Sequence, residues 1–214
     1  MLSDQPLSEA YDARDWRRSE VVGEAYRFRV PAVALAGDYP MLVTLIDTDT
    51  GQELSHMTLA DVMVKAQDRN FTLPKDVIPV SAYVNDEIEL VGYRLHDRFL
   101  KGRETFGLTL YWRSLDFADA NYTVFVHAAG PDQSIRGQWD SVPVQGTSPT
   151  SGWLPGEIIE DHYDVLMGRD VPAWEYDIFV GMYDPITGER LPISSAKSPT
   201  SENRVWLTRL PAVD

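Results

Sequence analysis

Three acidic residues have the spacing closest to a working site. Asp47, Asp49 and Glu53 stand at alternate positions around Gly51, as oxygen ligands do in calcium loops. The same residues also suit a tight hairpin, with Asp47 accepting turn amides and Gly51 taking positive φ. A second stretch decides between the two. Asp184, Ile186 and Gly188 fill the matching places, so one acidic ligand is lost while Asp-x-x-Thr-Gly-x-x-Leu persists. The turn is therefore preferred, with Asp47, Gly51, Asp184 and Gly188 as structural turn residues and Pro155 and Gly156 forming another turn. Calcium at Asp47, Asp49 and Glu53 remains the weaker alternative, and no resident metal or cofactor is expected.

Four further polar residues could form a cluster. His127 follows an apolar run and Asp140 closes the next strand, so a hairpin would bring them close, with Asp161 or His162 beside them. The chemistry would be a polar or metal-binding site. The plainer alternative is a buried histidine–carboxylate pair that fixes strand register. Among the six tryptophans, Trp174 and Trp206 have the least obvious core role, and exposed indoles stack on sugar rings. These six residues, His127, Asp140, Asp161, His162, Trp174 and Trp206, are the candidate ligand-binding set. Enzyme chemistry finds little support, because the nucleophile elbow Gly-x-Ser-x-Gly and the phosphate-cradling glycine patterns are both missing. Cysteine is absent altogether, which removes thiolate ligands and thiol nucleophiles.

The chain carries 19 basic and 33 acidic side chains, a formal charge of −14. Such a chain repels phosphate backbones and anionic lipid heads, so nucleic acid is not an expected partner. The longest apolar run, residues 30–36, is too short to insert into a bilayer.

The elements that must position these residues are strands. Phe106, Leu108, Leu110 and Trp112 alternate with Gly107, Thr109 and Tyr111, and Val205 to Leu210 alternate likewise. Residues 122–126 and 178–183 are apolar on both faces. Turn signals separate them at Gly130-Pro131-Asp132, Pro143, Pro149 and Leu154-Pro155-Gly156. The expected fold is an all-β antiparallel sandwich, of jelly-roll or immunoglobulin-like type.

A self-match at a constant offset of 137 residues sets the domain plan. Ten of the 39 ungapped positions from 16 to 54 are identical to 153–191, among them Trp16, Glu20, Tyr39, Val43, Asp47 and Gly51. The second unit begins near Asp86, so the matching start of the first falls about 50 residues before Met1. The plan is thus the later half of one sandwich over 1–64, a linker over 65–85 broken by Pro74 and Pro79, and a complete sandwich over 86–214. The half unit is expected to be completed by the rest of a longer chain or by a second copy.

The ordered series Leu108-Thr-Leu-Tyr-Trp112, Tyr122-Thr-Val-Phe-Val-His127, Trp153-Leu-Pro-Gly-Glu157 and Gly181-Met-Tyr-Asp184 resembles one family. That family is the soluble C-terminal β-sandwich region of bacterial glycosyltransferase-like membrane proteins, similar to the dolichyl-phosphate-mannose–protein mannosyltransferases. The resemblance covers 86–213 and, through the repeat, 2–64. Ala128-Ala129 after His127 depart from the family's His-Leu pattern. The resemblance implies an extracytoplasmic place, tethered to the membrane through a parent chain. It brings no catalytic residue, because that class keeps its catalytic carboxylates in the membrane-spanning region. The expected role is a non-catalytic accessory or interaction module, with possible partners being the parent chain, a second copy or a glycan. Alternatives are a dedicated carbohydrate-binding module, a self-assembling surface protein completed in trans, and a glycoside-active enzyme.

Overall fold

The computed structural model describes residues 11, 13–23, 25–26, 30–65 and 67–213. Two five-stranded antiparallel sheets stack on each other. The first contains β3 (Ile78–Val84), β4 (Ile88–Leu95), β5 (Thr105–Ser114), β8 (Ile158–Leu166) and β10 (Ile193–Ser195), ordered β10-β3-β4-β5-β8. The second contains β6 (Thr123–Ala129), β7 (Ile135–Ser141), β9 (Glu175–Tyr183), β11 (Thr200–Ser201) and β12 (Arg204–Pro211), ordered β11-β12-β9-β6-β7. Two further strands, β1 (Gly37–Ile46) and β2 (Glu53–Val64), form a separate ribbon and pair only with each other among the described residues.

The period-2 pattern explains the core. Phe106, Leu108, Leu110 and Trp112 of β5 point inward with Val124, Val126 and Ala128 of β6 and Ile178, Val180 and Met182 of β9. All are at most 1% exposed. Fully burying a large apolar side chain contributes about 1.5–3 kcal/mol, so this layer dominates the stability of the sandwich. At Gly181 the outer face needs a missing side chain, since a Cβ there would lie 2.4 Å from the Phe125 ring.

A few local contacts are alike at positions 137 residues apart. A single 3-10 turn spans Ala13–Asp15 and again Thr150–Gly152. The Trp16 indole donates to Tyr11 O at 3.3 Å, and the Trp153 indole donates to Ser148 O at 3.0 Å. Glu20 Oε2 accepts from Arg17 N at 2.7 Å, as Glu157 Oε2 accepts from Leu154 N at 2.8 Å. The turn after β1 repeats after β9: Asp47 N bonds Gln52 O and Gly51 N bonds Asp47 O, matching Asp184 with Glu189 O and Gly188 with Asp184 O. Gly51 and Gly188 take φ of 69° and 74°.

Beyond that turn the two paths part. After Ile46 the chain returns along β1 as a twelve-residue strand, whereas after Tyr183 it makes one bridge, to Arg190, and crosses to the other sheet as β10. The residues expected to form half a sandwich therefore contribute a two-stranded ribbon. The proposed linker also holds a strand. Ile78–Val84 is β3, and it buries Val80, Ala82 and Val84 in the main core. Pro79 fits there because the ladder is irregular between Pro79 and Ala82, where no amide is needed from the ring nitrogen. No helix among the described residues is long and apolar enough to cross a membrane.

Candidate functional site

The ribbon owes its shape to the Asp47 turn. The Asp47 carboxylate accepts from Asp49 N at 3.0 Å, Thr50 N at 2.8 Å and Thr50 Oγ1 at 2.9 Å. These bonds, Thr50's first, hold its pKa below the usual carboxylate value. Glu53 turns away to the His56 ring at 2.6 Å. The carboxylates of Asp47 and Glu53 are thus committed to local bonds, while Asp49 contributes only its backbone amide, and no metal-ligating group of three is found among the described residues.

Register assigns the ribbon's faces. Tyr39, Met41, Val43 and Leu45 lie opposite Val62, Ala60, Met57 and Ser55, giving one face without a charged residue. The other face pairs Pro40, Leu42, Thr44 and Ile46 with Asp61, Thr58, His56 and Glu53, while Leu59 and Leu54 are the extra residues at two bulges. At the 137-residue offset, Tyr39, Met41, Val43 and Leu45 match Tyr176, Ile178, Val180 and Met182. The β9 residues are 0% exposed, yet Tyr39, Val43 and Leu45 are 42%, 44% and 40% exposed, and Met57 58%. Among the described residues, the ribbon presents a core-type face with no core over it.

At its base this face opens into a cleft of about 590 Å³ between the ribbon and the sandwich. Residues 30–36 and 62–65 form one wall, and Asn121, Ser148, Pro149 and Leu154 the other. Among the described residues, Lys65 and Arg69 line it and no carboxylate does, against the chain's acidic average. Arg69 is the clasp. It donates to Ala32 O at 3.3 Å, to Gly152 O at 2.8 Å and to the buried Glu157 carboxylate at 2.6 Å.

The six candidate ligand residues do not come together. His127 and Asp140 share the outer face of the second sheet, but His127 lies opposite Gln138, while Asp140 lies opposite Phe125. His127 is buried against the Phe125 ring at 4.7 Å, and its Nδ1 has no hydrogen-bond partner. Burial, then Arg190 and Arg204, push its pKa down to about 4. Burial raises Asp140. The histidine–carboxylate pair expected from the sequence is thus not made. Asp161 points into the core, where it accepts from Val144 N at 2.8 Å and from the Tyr163 hydroxyl. Burial raises its pKa to about 6, opposed by Tyr163, Val144 and the Trp112 indole. The indole N–H makes no well-aligned bond, so it acts on Asp161 as a nearby dipole.

His162, one residue on, faces the opposite way. Its Nδ1 sits 3.2 Å from Thr109 Oγ1, which is 2.8 Å from His96 Nε2, and its Nε2 is 3.3 Å from Asp164. Trp174 stacks on Tyr176, itself buried, at 6.5 Å. Trp206 donates to Asp177 at 2.8 Å, and Arg209 binds the same carboxylate. Neither indole belongs to a pair of coplanar exposed rings.

Sequence reasoning missed the uncharged ribbon face and the Arg69 clasp. The face was readable by setting 39, 41, 43 and 45 over the core residues at 176, 178, 180 and 182. The clasp left no sequence signal, because its partners lie 37 to 88 residues away. Comparison with protein-family models and with curated proteins gives no match.

Proposed function

We propose that this chain is a non-catalytic β-sandwich interaction module, an accessory part of a bacterial cell-envelope protein on the outer side of the membrane. The observation that carries the reading is the uncharged ribbon face, whose core-type side chains stand exposed. Apolar patches on single soluble domains seldom exceed a few hundred Å², and larger ones mark association surfaces. The extracytoplasmic setting rests on the family resemblance alone. Half-exposed Trp174 favours a glycan as a second reading, to be checked by comparing glycan-array binding of wild type and Trp174→Ala.

The test of the association reading is titration with an apolar dye, such as anilinonaphthalene sulfonate, of wild type and Met57→Asp. Strong binding by wild type that falls several-fold in Met57→Asp supports it. Measured at dilutions where the chain is monomeric, a wild type that binds no dye overturns it.

A further inference from the structure

We infer that the uncharged ribbon face is covered by the same face of a second copy of this chain. The inference rests on the association reading above and names its partner. In the sandwich, the residues matching Tyr39, Met41, Val43 and Leu45 are sealed by an opposing apolar sheet. Sheets of one molecule already seal each other, so a copy has only its ribbon to offer. The ribbon's Tyr, Met, Val and Leu side chains have the chemistry that seals β9. A two-fold axis passing near Val43 and Met57 lays the face on itself with no charge opposing its like, because this face has none. The other face carries Asp61, His56 and Glu53, whose charged groups such a contact would have to desolvate, and is disfavoured.

Area sets the strength. Ten residues span about 34 Å and two strands about 10 Å, so one face offers on the order of 340 Å² in projection. Side-chain relief, together with Val33 and Leu35 at the cleft (61% and 77% exposed), brings it towards the roughly 800 Å² per partner of specific interfaces. An interface at or below that size is expected to be reversible, and the concentration series reads its strength. Each copy carries −14, so added salt screens the repulsion and strengthens association, where an ion-paired interface would weaken.

The experiment is multi-angle light scattering across a concentration series at low and high salt, with Val43→Asp. It is joined by bismaleimide crosslinking of Val43→Cys and Thr44→Cys in this cysteine-free chain. Expected are a dimer whose dissociation constant falls with salt and rises at least tenfold in Val43→Asp, and a crosslink at 43 but not at 44. Near-UV circular dichroism checks that the sandwich is intact in each variant. A monomer at every concentration that still binds the apolar dye overturns the second copy and leaves the association reading standing. A monomer that binds no dye overturns both. A dimer that Val43→Asp does not weaken, or that crosslinks at 44, places the contact elsewhere and also overturns the inference.

Discussion

Asp161 and His127 titrate against each other across the same pH range. Asp161 ionises at about 6 in the fold against 3.8 in an open chain, so the folded state binds its proton more tightly. Its charge at neutral pH costs the fold about 3 kcal/mol, and that cost disappears as pH falls from 6 through 3.8. His127 is held neutral, titrating at about 4 against 6.5. Its contribution is intact above pH 6.5 and is lost as pH falls towards 4, by about 2 kcal/mol after allowing for solvent near the ring edge. In wild type the two nearly cancel. Asp161→Asn keeps an acceptor for Val144 N and removes one side of the balance. Measured by denaturant midpoint, its stability relative to wild type should be higher at pH 7 and should fall by about 2 kcal/mol on going to pH 4. An unchanged difference across that range would show that Asp161 is not buried as an ionisable group. Gly181→Ala is expected to lose more than 2 kcal/mol, because the Phe125 ring and Asn203 O occupy the space its methyl needs.

At the scale of elements, one turn serves two different structures. Asp47 and Asp184 make the same backbone closure, but one caps a solvated ribbon and the other links two strands of the sandwich. Asp184→Ala should therefore lower the midpoint of sandwich unfolding by about 1 kcal/mol, as the loss of a turn-capping side chain does. Asp47→Ala should leave that midpoint unchanged and speed hydrogen exchange only in β1 and β2. Equal effects from both would mean that ribbon and sandwich unfold together.

The sandwich strands were legible because alternation at Phe106–Trp112 and Val205–Leu210 is a direct image of one face meeting the core. β3 was not, because prolines at 74 and 79 look like breaks until the bulge that accommodates Pro79 is seen. The ribbon was half legible: the Asp47 to Gly51 hairpin announced β1, its turn and the returning strand, but nothing local says that the hairpin stands apart from the sandwich sheets. The scattered ligand set failed for a related reason. Asp161 and His162 are neighbours in sequence, yet strand alternation sends one into the core and the other outward. His96, which does meet His162 through Thr109, lies at a strand end that carries no alternation signal.

For the whole molecule, the uneven distribution of burial predicts two levels of stability. Native-state hydrogen exchange should show β4, β5, β6 and β9 opening only with global unfolding, and β1–β2 amides opening at several kcal/mol less. Dimerisation should raise protection in the ribbon alone.

The Arg69 clasp has a mechanical consequence. One guanidinium holds Ala32, just before the ribbon, and the 152–157 loop of the sandwich, while sitting itself just after the ribbon. The chain thus enters and leaves the ribbon through a single knot. Tension applied between the N-terminal segment and the sandwich runs across that guanidinium and bypasses the 36 residues in between, so the ribbon is carried slack while the rest of the chain bears load. Arg69→Met would cut this shortcut and leave Glu157 buried with only the Leu154 amide, at a cost of about 2–3 kcal/mol. In a single-molecule pull from the N-terminus, it would also add the ribbon's contour length as an early, low-force step.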